Sequence, residues 1–123
     1  MGVFGRKGDE AEIRAEIDRL SSLALNDLAS EIMDTLVAMD DLPRGARGPD
    51  DYEVVDAMIG RKSTSADKLD LVGVIAEGLQ VLEHAGLVYP VVGLRNQSYS
   101  MNYAVTRAGA AAAAAGTVRQ LVG

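Results

Sequence analysis

The chain has 123 residues, 48% of them hydrophobic and only 4% aromatic, with a formal net charge of −6. That is enough for one compact domain with a core of Leu, Ile, Val, Met and Ala, which suits packed helices, and too little for two. Cysteine is absent, which excludes disulfides, thiolate metal sites and cysteine nucleophiles, and a negative field repels polyanions unless a local basic patch opposes it.

The acidity is uneven. Residues 1–64 hold 14 of the 18 acids and 8 of the 12 bases, so the negative charge belongs to the N-terminal half. Residues 1–8 are small, Gly-rich and charged, and are expected to be a disordered lead to a single domain over residues 9–123. No run approaches the roughly 18 apolar residues of a membrane span, and no apolar stretch follows Arg6 and Lys7 as in a secretory signal. A cytoplasmic location and no membrane partner are expected.

From Asp9 to Leu20, Ile13, Ile17 and Leu20 recur at helical spacing between charged residues, predicting an amphipathic helix. Glu10 with Arg14 and Glu16 with Arg19 are its expected ion pairs. Periodicity leaves two roles open for it: packing on its own domain, or serving as a dimerisation arm through Ile13 and Ile17. A second helix is predicted over Leu23 to Met39, with Leu25, Leu28, Ala29, Ile32, Leu36 and Met39 on one face and Ser22 or Asn26 as its cap.

Leu42 to Pro49 contains two Pro and two Gly together with Arg44 and Arg47, which is loop composition. Asp50 and Asp51 then cap a short helix over Tyr52 to Ile59, stopped by Gly60. After the turn Arg61 to Ser65, a long helix capped by Ser65 or Asp67 is expected to reach Ala85. Leu71, Val72, Ile75, Leu79 and Leu82 form its core stripe, and Asp70, Gly73, Glu77, Gln80 and His84 its outer face. Leu69, Val74 and Val81 lie off that stripe and widen the apolar arc.

Gly86 is a natural helix stop. Leu87 to Val92, a polar turn over Gly93 to Ser98, and Tyr99 to Val105 predict a hairpin, in which Pro90 is tolerable on an edge strand. Thr106 caps a final helix over Arg107 to Val122 that is rich in alanine from Ala110 to Ala115.

Leu79 to Val88 reads LQVLEHAGLV and Tyr103 to Gly109 reads YAVTRAG. Together they resemble the winged helix-turn-helix domains of MarR-like and PadR-like bacterial regulators, over residues 23–116. The resemblance implies an α+β, mainly helical fold: a winged helix-turn-helix with one two-stranded wing and additional N- and C-terminal helices. It further implies a homodimer that binds double-stranded DNA and regulates transcription. The DNA-contact candidates are Arg61, Lys62, Ser63, Thr64, Ser65 and Lys68 at the start of the long helix, and Arg95 and Asn96 at the wing tip. This chain departs from the pattern in placing Asp67 and Asp70 where bases or amides are usual. The alternative is a protein-docking module whose interface candidates are Leu69, Val74, Val81, Ile13 and Ile17.

No reaction is expected. Gly60-Arg61-Lys62-Ser63-Thr64 lacks the glycine spacing and preceding strand of a phosphate-binding loop. His84 is the sole histidine and suits a helix C-terminus, and Asp40-Asp41 and Asp50-Asp51 adjoin helix ends rather than a calcium loop. No cofactor and no metal are expected.

Overall fold

The computed structural model describes residues 5–40, 48–60, 64–95 and 98–122. Along the chain these form α1 (Gly5–Ser22), α2 (Leu25–Asp40), α3 (Asp51–Ile59), α4 (Ser65–His84), β1 (Val88–Arg95), β2 (Ser98–Val105), α5 (Arg107–Ala115) and α6 (Val118–Val122). The fold is therefore mainly helical, with a small antiparallel sheet. No helix among the described residues is long and apolar enough to cross a membrane.

Helix α1 begins at Gly5, four residues ahead of the predicted start. It packs chiefly against α4 and also on α3, with Ile17 and Leu20 buried and Ile13 half-buried. Its charges connect elements more than they pair along the helix. Arg19 binds Glu16 at 2.6 Å, as expected, and also Glu31 of α2 at 2.7 Å. Arg14 does not pair with Glu10 but reaches across to Asp70 of α4 at 3.1 Å. The Arg19 hydrogen bonds hold the Glu31 carboxyl below the usual glutamate range. Pairs this exposed contribute at most about 1 kcal/mol each.

Helix α2 starts two residues later than predicted, and neither Ser22 nor Asn26 is its cap. The first helical bond runs from the Leu28 N–H to the Ala24 carbonyl at 2.9 Å, while the Ser22 hydroxyl donates back to Asp18 in α1. Leu28, Ala29, Ile32, Met33, Leu36 and Met39 are buried against α4, α5 and α6, whereas Leu25, placed on the same face by periodicity, is exposed at the first turn.

Asp50 caps α3 by a reciprocal arrangement. Its carboxylate accepts from the Glu53 N–H at 2.8 Å, and Glu53 accepts from the Asp50 N–H at 3.0 Å. The same device starts α4, but the capping residue is Thr64 rather than Ser65 or Asp67. Thr64 Oγ1 accepts from the Asp67 N–H, and Asp67 accepts from the Thr64 N–H, both at 3.1 Å. Leu71, Ile75, Leu79 and Leu82 of α4 are fully buried, which makes this helix the spine of the core. It ends where Leu87 and Gly86 donate to the Leu82 and Glu83 carbonyls, with Gly86 at φ 77°, a left-handed conformation that favours glycine.

Strands β1 and β2 pair from Val88 opposite Val105 out to Arg95 opposite Ser98, so both extend further than predicted. The Tyr103 N–H bonds to the Pro49 carbonyl at 2.9 Å, pointing away from β1. Its partner Pro90 therefore directs its nitrogen to the free edge, where a missing N–H costs the ladder nothing. The outer side of β2 is in turn held by a bridge between Asp50 and Asn102.

The single C-terminal helix predicted over Arg107 to Val122 is broken. Thr106 caps α5 as expected, accepting from the Gly109 N–H at 2.9 Å, but Gly116 adopts φ 71° and the chain turns before α6. Val118 of α6 is buried beside α2, and Arg119 meets Asp27 at 2.8 Å. An uninterrupted alanine helix would carry Val118 away from that position.

Candidate functional site

The residues expected to contact DNA are only partly assembled by the described structure. Arg61, Lys62, Ser63 and Asn96 lie outside the described residues, as do Arg44 and Arg47. Ser65 and Arg95 are described in backbone only, at the first position of α4 and the last of β1. Thr64 is exposed, but its hydroxyl oxygen is engaged in the α4 cap. Lys68 turns inward: its ammonium lies 2.9 Å from Asp56 Oδ1, joining α4 to α3. Lys68 thus joins α4 to α3, with its charge set against a buried carboxylate oxygen of Asp56.

The same outcome extends across the described surface. Arg14, Arg19, Lys68 and Arg119 each pair with a carboxylate of the same chain. Of the described Lys and Arg side chains, Arg107 alone has no such pair, and it stands at the start of α5.

The docking candidates divide differently. Ile17 is 2% exposed and belongs to the core, which corrects its assignment as an interface residue, and Ile13, Val74 and Val81 are half-buried against that core. Helix α1 packs along α4, and Arg14 bonds to Asp70 there. Leu69 is the exception, at 61% exposed.

Leu69 does not stand alone. Ala66, Leu69, Gly73, Ala76 and Gln80 follow one another at spacings of three and four, and all are exposed. They form a narrow, nearly flat strip along α4, with Asp70 and Glu77 on one flank and Glu83 on the other. A Cβ built on Gly73 meets no atom within 4 Å, so the space above the middle of the strip, at Gly73, is open. Among the described residues no ion pair involves Glu77 or Glu83. His84 is exposed on the last turn of α4, and no cluster of metal-ligating side chains occurs among the described residues.

Two polar residues are buried at the junction of α3 and the sheet, one of which, Asn102, carries no signal in the sequence. Asp50 and Asn102 are 4% and 7% exposed, and Asn102 Nδ2 donates to the Gly48 carbonyl at 2.8 Å. Together they fix the angle between the sheet and the start of α3. A capping signal marks Asp50 in the sequence, but nothing local marks its bridge to a residue half the chain away.

Next to this junction, burial raises the Asp51 carboxyl above the usual aspartate range, with the Asp50 charge adding to the effect. Burial likewise raises the Tyr103 hydroxyl, with Asp51 and Glu83 nearby. A carboxyl raised on folding contributes stability while protonated and loses that contribution as pH rises through its folded pKa. Asp51→Asn, which keeps the oxygen that accepts from the Tyr52 N–H, is thus expected to be more stable than wild type at neutral pH. In urea titrations that advantage should vanish below the ordinary aspartate range; an advantage independent of pH contradicts this reading.

No family model, curated protein or solved structure matches the chain.

Proposed function

We propose that this is a winged-helix protein-docking module whose contact surface is the outer face of α4. The winged-helix assignment is supported by the chain order: α3 and α4 follow a bridged residue at Asp50, and α4 leads directly into a two-stranded wing. The observation that carries the docking role is the exposed strip Ala66, Leu69, Gly73, Ala76 and Gln80 between carboxylates, on the helix that a DNA-binding relative would place in the groove. Phosphate binding requires cations free to replace counterions, and the described cations near α4 are engaged by Asp56 and Asp70.

A second reading, DNA binding by a regulator-like dimer, rests on one observation. The exposed Thr64 cap puts the N-terminus of α4 at the surface, directly after Arg61 and Lys62 in sequence.

Two measurements separate these readings. The docking role predicts no salt-dependent anisotropy change with mixed-sequence duplex DNA, and a photo-crosslinker placed at Ala76 should give a discrete protein adduct that Leu69→Glu removes. Steeply salt-dependent DNA binding that is lost in Arg61→Glu/Lys62→Glu overturns docking in favour of DNA.

A further inference from the structure

Resting on the docking reading, we infer that the occupant of the α4 face is a cationic amphipathic helix of another protein. The strip from Ala66 to Gln80 is about 21 Å long at 1.5 Å per residue, enough for roughly four turns of a facing helix. Its small residues, Ala66, Gly73 and Ala76, let a second backbone come close, and Leu69 supplies one large apolar side chain for the seam. Spacings of three and four match the knob positions of a partner helix.

Charge selects among helices. Glu77 and Glu83 border the strip on opposite sides without an ion partner among the described residues, and Asp70 is shared with Arg14 at the rim. A second copy of this face would set these carboxylates against their own kind, and an acidic helix or a nucleic acid meets the same repulsion. A helix with an Ala/Leu seam flanked by Lys or Arg places its cations over both borders.

Three synthetic helical peptides sharing one Ala/Leu seam, flanked by Lys, Gln or Glu, test this by calorimetric titration into the full chain. The Lys peptide is expected to bind about tenfold more tightly than the Gln peptide, with the Glu peptide weakest. Gly73→Leu should abolish binding without disturbing the fold, because the added side chain projects into open space. Glu77→Lys/Glu83→Lys should reverse the Lys over Glu preference, which guards against diffuse attraction to an acidic protein.

If the Gln peptide binds as well as the Lys peptide and Gly73→Leu still removes both, the charge inference falls and the docking reading stands. If Lys-peptide binding is untouched by Gly73→Leu, or no peptide binds, the inference is overturned, and the Ala76 crosslink decides the docking reading by itself.

Discussion

Gly109→Val is expected to be strongly destabilising, costing about 3 kcal/mol or more. Gly109 lies in the first turn of α5 and faces the residue that leads into β1. A Cβ built there collides with the Leu87 carbonyl oxygen and comes within 2.9 Å of Met33 Cε and 3.0 Å of the Leu87 carbonyl carbon. The Met33 methyl can move. The carbonyl cannot, because it already accepts the Thr106 N–H at 3.0 Å, and Thr106 also donates its hydroxyl to Gly86. These bonds hold α5 against the end of α4, so relief requires lifting α5 off the core.

Gly73→Ala supplies the opposite sign on the same protein. Gly73 is exposed in the middle of α4 with no atom within 4 Å of its built Cβ, so alanine adds helix propensity and nothing else, stabilising by about 0.5 to 1 kcal/mol. Urea unfolding of Gly109→Ala, Gly109→Val and Gly73→Ala measures all three. A Gly109→Ala chain that gains stability as Gly73→Ala does removes the close approach of α5 to Leu87 from the account.

The contrast between these glycines shows what the sequence could and could not convey. Each stands in a segment that reads as helix, and only the fold brings Leu87 to one of them. What was legible is local: the core stripe of α4, the caps at Asp50 and Thr106, the stops at Gly60 and Gly86, and a hairpin containing Pro90. Each depends on residues within one or two turns. The errors have the same origin. At the start of α4 the sequence offers Ser65 or Asp67 as the cap, and Thr64 prevails because Asp67 lies three residues on and can return its hydrogen bond. The run of alanine concealed the break at Gly116, since alanine's propensity says nothing about where Val118 must be buried.

The candidate site was less legible than the fold. Outward charge on a helix is visible in sequence, but the partner of each charge is not, and Lys68 changes meaning once Asp56 is found beside it. Arg14 makes the same point, since its i,i−4 neighbour Glu10 is available and the cross-helix Asp70 is what it binds. Leu69, Val74 and Val81 lie about equally far from the core stripe on a helical wheel, Leu69 on one side and the two valines on the other. Packing then half-buries the two valines and leaves Leu69 exposed.

That last distinction has an energetic counterpart along α4. Leu79 and Leu69 share a helix and a side chain, yet Leu79 is fully buried. Leu79→Ala removes its buried methyl and methylene groups and leaves a cavity among rigidly packed neighbours, at an expected cost of about 2 to 5 kcal/mol. For a domain whose total stability is on the order of 5 to 15 kcal/mol, this is a large fraction, and the melting temperature should fall by roughly 10 °C. Leu69→Ala should stay within about 0.5 kcal/mol of wild type, because its side chain is mostly in water before and after the change. Thermal melts and urea titrations of the two variants read this directly. Equal losses would mean that Leu69 is covered in solution, by another part of the chain or by a second copy, and would withdraw the open α4 face as a docking surface.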